Sequence, residues 1–452
     1  MAQAALHPED PMNPLASLPP AAPGAWPLLG HIPRLAPDPL AFFQRLRDHG
    51  PVVRIRLGSR PAYVVNSPDL VRRLHLADQK LFDKGGPLIE KSRLFLGNGL
   101  ATCPAADHTR QRPLMQPAFH PDQLARYTGI MRHAVAEVIG SWQPGQVISL
   151  NEQMHRITAD VTSRTLISAE HARPAAAQIA RALPAVLRGL YWRMVVPGRL
   201  FPYIPLPVNR RFDDQMQRTR HLIDQVVSHY RATTTDHDDL LSMVIAACEQ
   251  EPDPRQAIYD QVVTILMGGV ETTATTLVWL LRLLDRHPPV HEKLLAEITA
   301  TPGTRPPDPA DLPYTQQALI ETLRLYPPGW IVSRSTTAEV HWHEGRIPAG
   351  ADIFYSPYTL HRDPDPFPDP EAFVPERWSA ERVTPAQRQG FFGFGLGRRK
   401  CIGDTFGLTE AAITVAAILG RWRLEHTGPM TARPLIGTLL MAPATRMRVR
   451  AR

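Results

Sequence analysis

The sequence predicts a mainly α-helical protein with small β-sheets, folded as a single large domain. Three observations carry this. Helical spacing of apolar residues dominates from Asp122 to Arg286. Short alternating segments, the pattern of half-buried strands, lie near both ends of the chain. No Gly/Ser linker, charge block or internal repeat divides the 452 residues.

Taken in order, residues 1–20 are polar and proline-rich, lack the apolar run of a signal peptide or membrane anchor, and are expected to be disordered, leaving 21–452 as the domain. Leu40, Phe43 and Leu46 are spaced for a short amphipathic helix over Pro39 to His49. Val52 to Leu57 and Ala62 to Val65 alternate around Gly58 as a hairpin. The helical body breaks at Pro144-Gly145 and at Pro197-Gly198 and ends in one long helix from Ile258 to Arg286. A further helix ends near Leu325. Val340 to Trp342 and Ile353 to Tyr355 read as short strands, Asp363 to Pro385 as an irregular stretch, and Asp404 to Leu419 as a helix.

Composition narrows the function classes. The formal charge is +7, yet only five of the 50 basic residues are lysine and the arginines spread along the whole chain. Without a basic stripe interleaved with aromatics, nucleic-acid binding is not expected. Three cysteines, Cys103, Cys248 and Cys401, form no CxxC pair and are odd in number, which points to a reducing compartment and a cytoplasmic protein.

Cys401 stands in the run Phe394-Gly395-Leu396-Gly397-Arg398-Arg399-Lys400-Cys401-Ile402-Gly403, at the mouth of the predicted helix from Asp404. Backbone N–H groups, the positive end of the helix dipole and the basic neighbours are expected to lower the thiol pKa, while Phe394 shields the sulfur. A shielded, hydrogen-bonded thiolate is what an axial ligand to haem iron requires. This run resembles the haem-binding loop of the cytochrome P450 superfamily, F-G-x-G-x-R-x-C-x-G, and the order of elements from about Ala21 onward is similar to that fold. The resemblance implies haem b as cofactor, Cys401 as the iron ligand, and Phe394 and Gly403 beside the haem.

The middle of the long helix, Gly268-Gly269-Val270-Glu271-Thr272-Thr273, breaks ordinary helix rules, because two glycines cost about 1 kcal/mol each against alanine and a glutamate follows them in an apolar run. A local widening at the glycines is expected, and the central Glu271, Thr272, Thr273, Thr275 and Thr276 argue against a transmembrane span. The segment resembles the superfamily's acid–alcohol motif, which implies that Thr272 and Glu271 carry protons to O2 during cleavage of its O–O bond. Glu321 and Arg324 lie three apart on one helix face, and Pro375-Glu376-Arg377-Trp378 follows. These resemble the superfamily's ExxR and PERF/W elements, in which Arg377 completes a buried Glu-Arg-Arg network. Haem propionates need cations, and the resemblance implies His108 and Arg112 (four apart on a helix), Arg334 and Arg399. Pro113, directly after Arg112, departs from the usual pattern.

Apolar segments containing Leu88, Ile89, Phe95, Met267, Val270, Trp330, Ile331, Val332 and Leu439 are expected to line a substrate cavity. Further runs, including Phe82-Asp83-Lys84-Gly85-Gly86-Pro87 and Asn209-Arg210-Arg211-Phe212-Asp213, resemble bacterial terpene oxygenases. This implies monooxygenation of a cyclic sesquiterpene or related terpenoid, with fatty acids and macrolides as alternatives. With no appended flavin or iron–sulfur region, electrons are expected from NAD(P)H through ferredoxin reductase and a ferredoxin docking at Arg398 and Lys400, with Arg110 nearby. A haem-thiolate isomerase or dehydratase that uses no O2, and a haem sensor, are the other classes. The first usually lacks the acid–alcohol pair, and no signalling module marks the second.

Overall fold

The computed structural model describes residues 17–168, 173–195, 204, 206–232, 239–300, 307–428 and 433–452. The expected disorder of residues 1–16 and the break at Pro197-Gly198 lie outside these. The chain forms two compact units, one from residues 1–86 with 331–360, the other from 87–330 with 361–452.

The first unit is built on strands β1 (Val52–Leu57), β2 (Arg60–Val65), β3 (Phe82–Asp83), β4 (Val332–Thr336), β5 (Val340–Trp342), β6 (Gly345–Ile347) and β7 (Asp352–Tyr355). The predicted β1–β2 hairpin forms, pairing Val53 with Val64 and Ile55 with Ala62. β2 then pairs in parallel with β7, so the five-stranded order is β1-β2-β7-β4-β3. Val53, Ile55, Tyr63, Val64, Ile353 and Tyr355 are buried, as the β-branched and aromatic alternation requires. The helix Pro39–Leu46 starts on Asp38, whose carboxylate accepts from Ala41 N (3.1 Å), and continues as a 3₁₀ turn to His49. Ser17 to Pro20 are already tied down, with Arg346 N donating to Ser17 O and Arg54 N to Pro20 O (both 2.8 Å).

The second unit is helical: α1 (Ala105–Met115), α2 (Pro121–Gly140), α3 (Leu150–Leu166), α4 (Arg173–Val195), α5 (Pro207–Ala232), α6 (Leu240–Cys248), α7 (Pro254–Arg286), α8 (Pro288–Ala300), α9 (Pro313–Leu325) and α10 (Asp404–Arg421). α7, 33 residues and about 50 Å long, starts four residues earlier than predicted because Asp253 caps it by accepting from Gln256 N and Pro254 fits the first turn. By length and composition it could cross a membrane, yet most of its apolar window is buried in the protein. One apolar cluster joins α2, α3, α7 and α10; another joins α3, α4, α5, α6 and the first half of α7. An antiparallel sheet of Val147–Ser149, Arg446–Ala451 and Trp422–His426 brings the C-terminus beside α3. The stretch after Asp363 is irregular apart from a short α-turn at Pro385–Gly390 and the 3₁₀ turn Pro375–Trp378.

Candidate functional site

The cysteine loop is shaped by its own backbone. Gly395 and Gly397 take φ of +69° and +61°, values that favour glycine, and Cys401 N donates to Phe394 O (2.8 Å). Gly403 then caps α10. Cys401 is accessible, yet burial pushes its thiol pKa up, against the pull of the Gly403 N–H and the Arg112 and Lys400 charges. The expected lowering is therefore not what the protein alone provides: desolvation outweighs the basic ring, and Asp404 adds to it.

Arg112 Nη1 donates to the carbonyls of Arg398 (3.1 Å) and Lys400 (2.6 Å), so α1 holds the loop directly. Arg398 answers by donating to Thr109 Oγ1 (2.9 Å), and Arg399 Nη1 lies 3.7 Å from the sulfur of buried Cys103. His108 is buried one turn before Arg112. α1 continues through Pro113, which supplies no N–H to the helix and so leaves the Thr109 carbonyl without its i+4 donor.

Behind the loop, Glu321 and Arg324 are fully buried and bidentate, both contacts at 2.8 Å. Arg324 spends its remaining donors on the carbonyls of His361 (2.9 Å), Pro370 (2.6 Å) and Ala372 (2.9 Å), leaving none of its N–H groups idle. Arg377 Nε joins at 3.3 Å from Glu321 Oε1, completing the anticipated triad. Trp378 Nε1 (2.8 Å) and Val374 N (3.1 Å) also donate to Glu321. An ion pair this fully hydrogen-bonded repays its desolvation.

His361, which sequence reasoning missed, couples this network to the cysteine loop. Phe392 N donates to its Nε2 (2.8 Å), so Nδ1 carries the proton and donates to Arg324 O (3.0 Å). Its ring stacks on Phe391 and Phe392, and burial, with the Arg324 charge, pushes its pKa down to about 3. Only its flanking aromatics could have hinted at this, since its partners are far away in sequence.

On α7 the two glycines have different causes. A Cβ at Gly269 would meet Thr162 Oγ1 of α3 at 2.9 Å, whereas one at Gly268 would meet nothing within 4 Å. The helix is continuous through both: Gly269 permits close packing, and Gly268 faces open space. Gly268 is exposed and Ile265 and Thr272 are half-buried, at spacings of three and four, while Leu266, Val270 and Glu271 are buried. One face of a core helix thus borders open space. Thr272 Oγ1 donates to Gly268 O. Glu271 turns instead toward α3, where its Oε1 lies 3.3 Å from His155 Nδ1.

Phe95 and Val270 are core members of the second apolar cluster; Met267 and Ile402, the residue after Cys401, pack against it. Thr273 Oγ1 stands 3.6 Å from the Cβ position of Gly407 on α10, which brings the acid–alcohol segment to the start of the cysteine helix. Trp330 Nε1 donates to Gly437 O (3.1 Å), beside half-buried Leu439. Leu88 and Ile89 are half-buried on the helix Gly86–Leu96. Arg334, Ile331 and Val332 belong to the sheet unit; there Arg334 is buried and Nη1 donates to Ser333 O (2.8 Å). Of the basic residues expected at the surface, Lys400 pairs with Asp404 (2.5 Å), while Arg110 is tied to Asp107 and Glu251.

The donor set fits a haem: an accessible sulfur, an open helix face at Gly268, Arg112 bonded to the cysteine loop itself with Arg399 two residues before the sulfur, and His108 one turn before Arg112. The family description "Cytochrome P450" matches residues 19–448, and the chain belongs to the cytochrome P450 family. It is accordingly a cytochrome P450 monooxygenase, a class that uses haem and O2. Cyclooctatin synthase of Streptomyces melanosporofaciens is 42% identical over 433 residues, 94% of each chain. Cyclooctat-9-en-7-ol 5-monooxygenase of the same organism is 40% identical, covering 93% of this chain and 90% of that one. Pentalenene oxygenase of Streptomyces avermitilis is 37% identical, covering 95% and 97%. Among solved structures, retinoic-acid-bound cyanobacterial CYP120A1 superposes with a TM-score of 0.84 at 23% identity, covering 97% of this chain and all of that one, a likeness of fold alone.

Proposed function

We propose that this monooxygenase oxidises a cyclic terpenoid of about sesquiterpene size at an unactivated C–H bond, with electrons from NAD(P)H passed through ferredoxin reductase and a ferredoxin. The observation that carries this reading is the identity of 37–42% along more than nine-tenths of the chain to relatives named for cyclooctatin and pentalenene chemistry. It is supported by apolar side chains, Leu88, Ile89, Met267 and Leu439, that are only half-buried in the protein and so retain surface for an apolar molecule.

Cys401 would hold the haem iron, and His108, Arg112 and Arg399 its propionates; when bound, the haem supplies O2 activation and oxygen transfer. The chain's own residues do the rest. With haem in place, Phe394 and Ile402 would screen the sulfur from water. The Glu321–Arg324–Arg377 network and His361 fix the loop so that the sulfur does not wander. Thr272, with its hydroxyl on the open side of α7, and Glu271, buried behind it, pass protons inward from solvent. Arg398 and Lys400, exposed on the loop, offer cationic contacts to an acidic ferredoxin. α7 is a core helix in this reading, and the protein acts in the cytoplasm.

Affinity for such a substrate comes from buried apolar area, about 25 cal/mol per Å², and depends little on salt. Spectral titration and turnover with pentalenene, cyclooctat-9-en-7-ol, a long-chain fatty acid and a macrolide test the reading. A high-spin shift and an oxygenated product with a terpenoid are expected. Turnover of the fatty acid or macrolide with both terpenoids inert would overturn it.

A further inference from the structure

We infer that His155 is a proton-transfer residue of this enzyme, linking solvent to Glu271 across the α3–α7 seam. The inference rests on Glu271 and Thr272 serving the proposed reaction, and adds a residue that no sequence motif marks.

Four observations converge on it. His155 Nδ1 lies 3.3 Å from Glu271 Oε1, inside ion-pair reach but not as an aligned hydrogen bond. The opposite ring nitrogen, Nε2, is buried and has no hydrogen-bond partner among the described residues. A buried polar atom without a protein partner carries a desolvation cost that evolution retains for a reason, commonly a bound water or a chemical role. Third, His155 stands at a boundary: its α3 neighbours Glu152 and Arg156 are exposed, while Met154, Ile157 and Thr158 are buried. Its side chain is one-fifth exposed and that of Glu271 about half as much, so the pair steps inward from solvent. Fourth, Gly269 lets α3 approach α7 closely enough for the contact, since any larger residue there would strike Thr162.

Imidazole is suited to this place because it can take a proton on one nitrogen while releasing another from the opposite nitrogen. One proton arrives at the buried Nε2 from a bridging water as the Nδ1 proton passes to Glu271 Oε1. The ring is left neutral with its proton on Nε2, and tautomer exchange through water restores it. No electron moves and no bond other than N–H and O–H changes. Glu271 then hands its proton to the side of α7 where Thr272 borders the open space. Glu271 alone, buried and turned from the surface, would have no other polar side chain within ion-pair reach among the described contacts.

The test uses the reduced, CO-bound holoenzyme with 15N-labelled histidine. The His155 resonance, assigned by its loss in His155→Gln, should move in Glu271→Gln. An unmoved resonance would overturn the contact, and this arm needs no turnover. In turnover with ferredoxin, reductase, NADPH and pentalenene, matched for haem content by the CO spectrum, His155→Phe should lower kcat by about 10²-fold and raise peroxide release. KM and the high-spin shift should stay unchanged, and the solvent deuterium isotope effect should change. His155→Gln, which keeps a donor to Glu271 but cannot relay a proton, should resemble His155→Phe. Full activity in His155→Gln would reduce His155 to a mere prop and overturn the relay. Thr272→Ala is the control: if it too leaves coupling intact, the acid–alcohol pair itself, not His155, is misassigned.

Discussion

Replacing His361 by Phe isolates the connection between the buried ion-pair network and the cysteine loop. Phenylalanine preserves the ring and hence the stacking on Phe391 and Phe392, at centroid distances of 5.2 and 6.2 Å. It removes two hydrogen bonds, and each leaves a backbone group without its partner: the Arg324 carbonyl and the Phe392 N–H. An orphaned buried polar group costs about 1–3 kcal/mol, so the pair costs about 2–6 kcal/mol. Against a total of about 5–15 kcal/mol, that is a large share of the folding free energy. The expected phenotype is a urea midpoint far below that of the wild type, with haem lost earlier in the titration than helix content, because Phe392 lies two residues before the Phe394 carbonyl that anchors Cys401 N. Far-UV circular dichroism and the reduced CO spectrum, followed along one urea series, separate the two. A midpoint within error of the wild type, with haem retained, would refute the coupling.

Acid should weaken the protein through two buried histidines. His361 is pushed from 6.5 to about 3 and His75, hydrogen-bonded to Tyr355, from 6.5 to about 2, burial being the leading cause in both. Both are depressed in the folded state, so the unfolded chain takes up protons first and stability falls as pH drops below 6.5; at pH 5.5 each costs about 1.4 kcal/mol, measurable by urea midpoints from pH 8 to 5. Stability that rises on acidification through this window contradicts the assignment. Gly269→Ala should destabilise by about 1–3 kcal/mol by pressing on Thr162, whereas Gly268→Ala, with free space at its Cβ, should not; thermal melts of the two decide it. Thr272→Ala should keep haem and terpenoid binding but divert NADPH to peroxide, and an unchanged yield of product per NADPH would count against the proton route.

Much of the site was legible because its signals are local. The cysteine run, the Glu321–Arg324 pair and the acid–alcohol segment each occupy a few consecutive residues whose chemistry is odd for their predicted element. What stayed hidden depends on distant partners. His361 is meaningful only beside Arg324 and Phe392, His155 only beside Glu271, and the parallel pairing of Val64 with Phe354 only once the sheet closes. The double glycine was visible but its cause was not, since nothing in Gly268-Gly269 reveals that Thr162 leaves no room for a Cβ at one of them while the other faces open space. The Cys401 pKa followed the same logic: its charged neighbours can be read in sequence, but the burial that outweighs them cannot.

The central claim is that Cys401 ligates the haem iron of this protein. Purified wild-type protein, reduced under carbon monoxide, should show the far-red-shifted Soret band of thiolate-ligated haem, and Cys401→Ser should lose that band while its far-UV circular dichroism stays helical. A wild-type protein that holds no haem, or a Cys401→Ser protein that keeps the shifted band, would contradict the account.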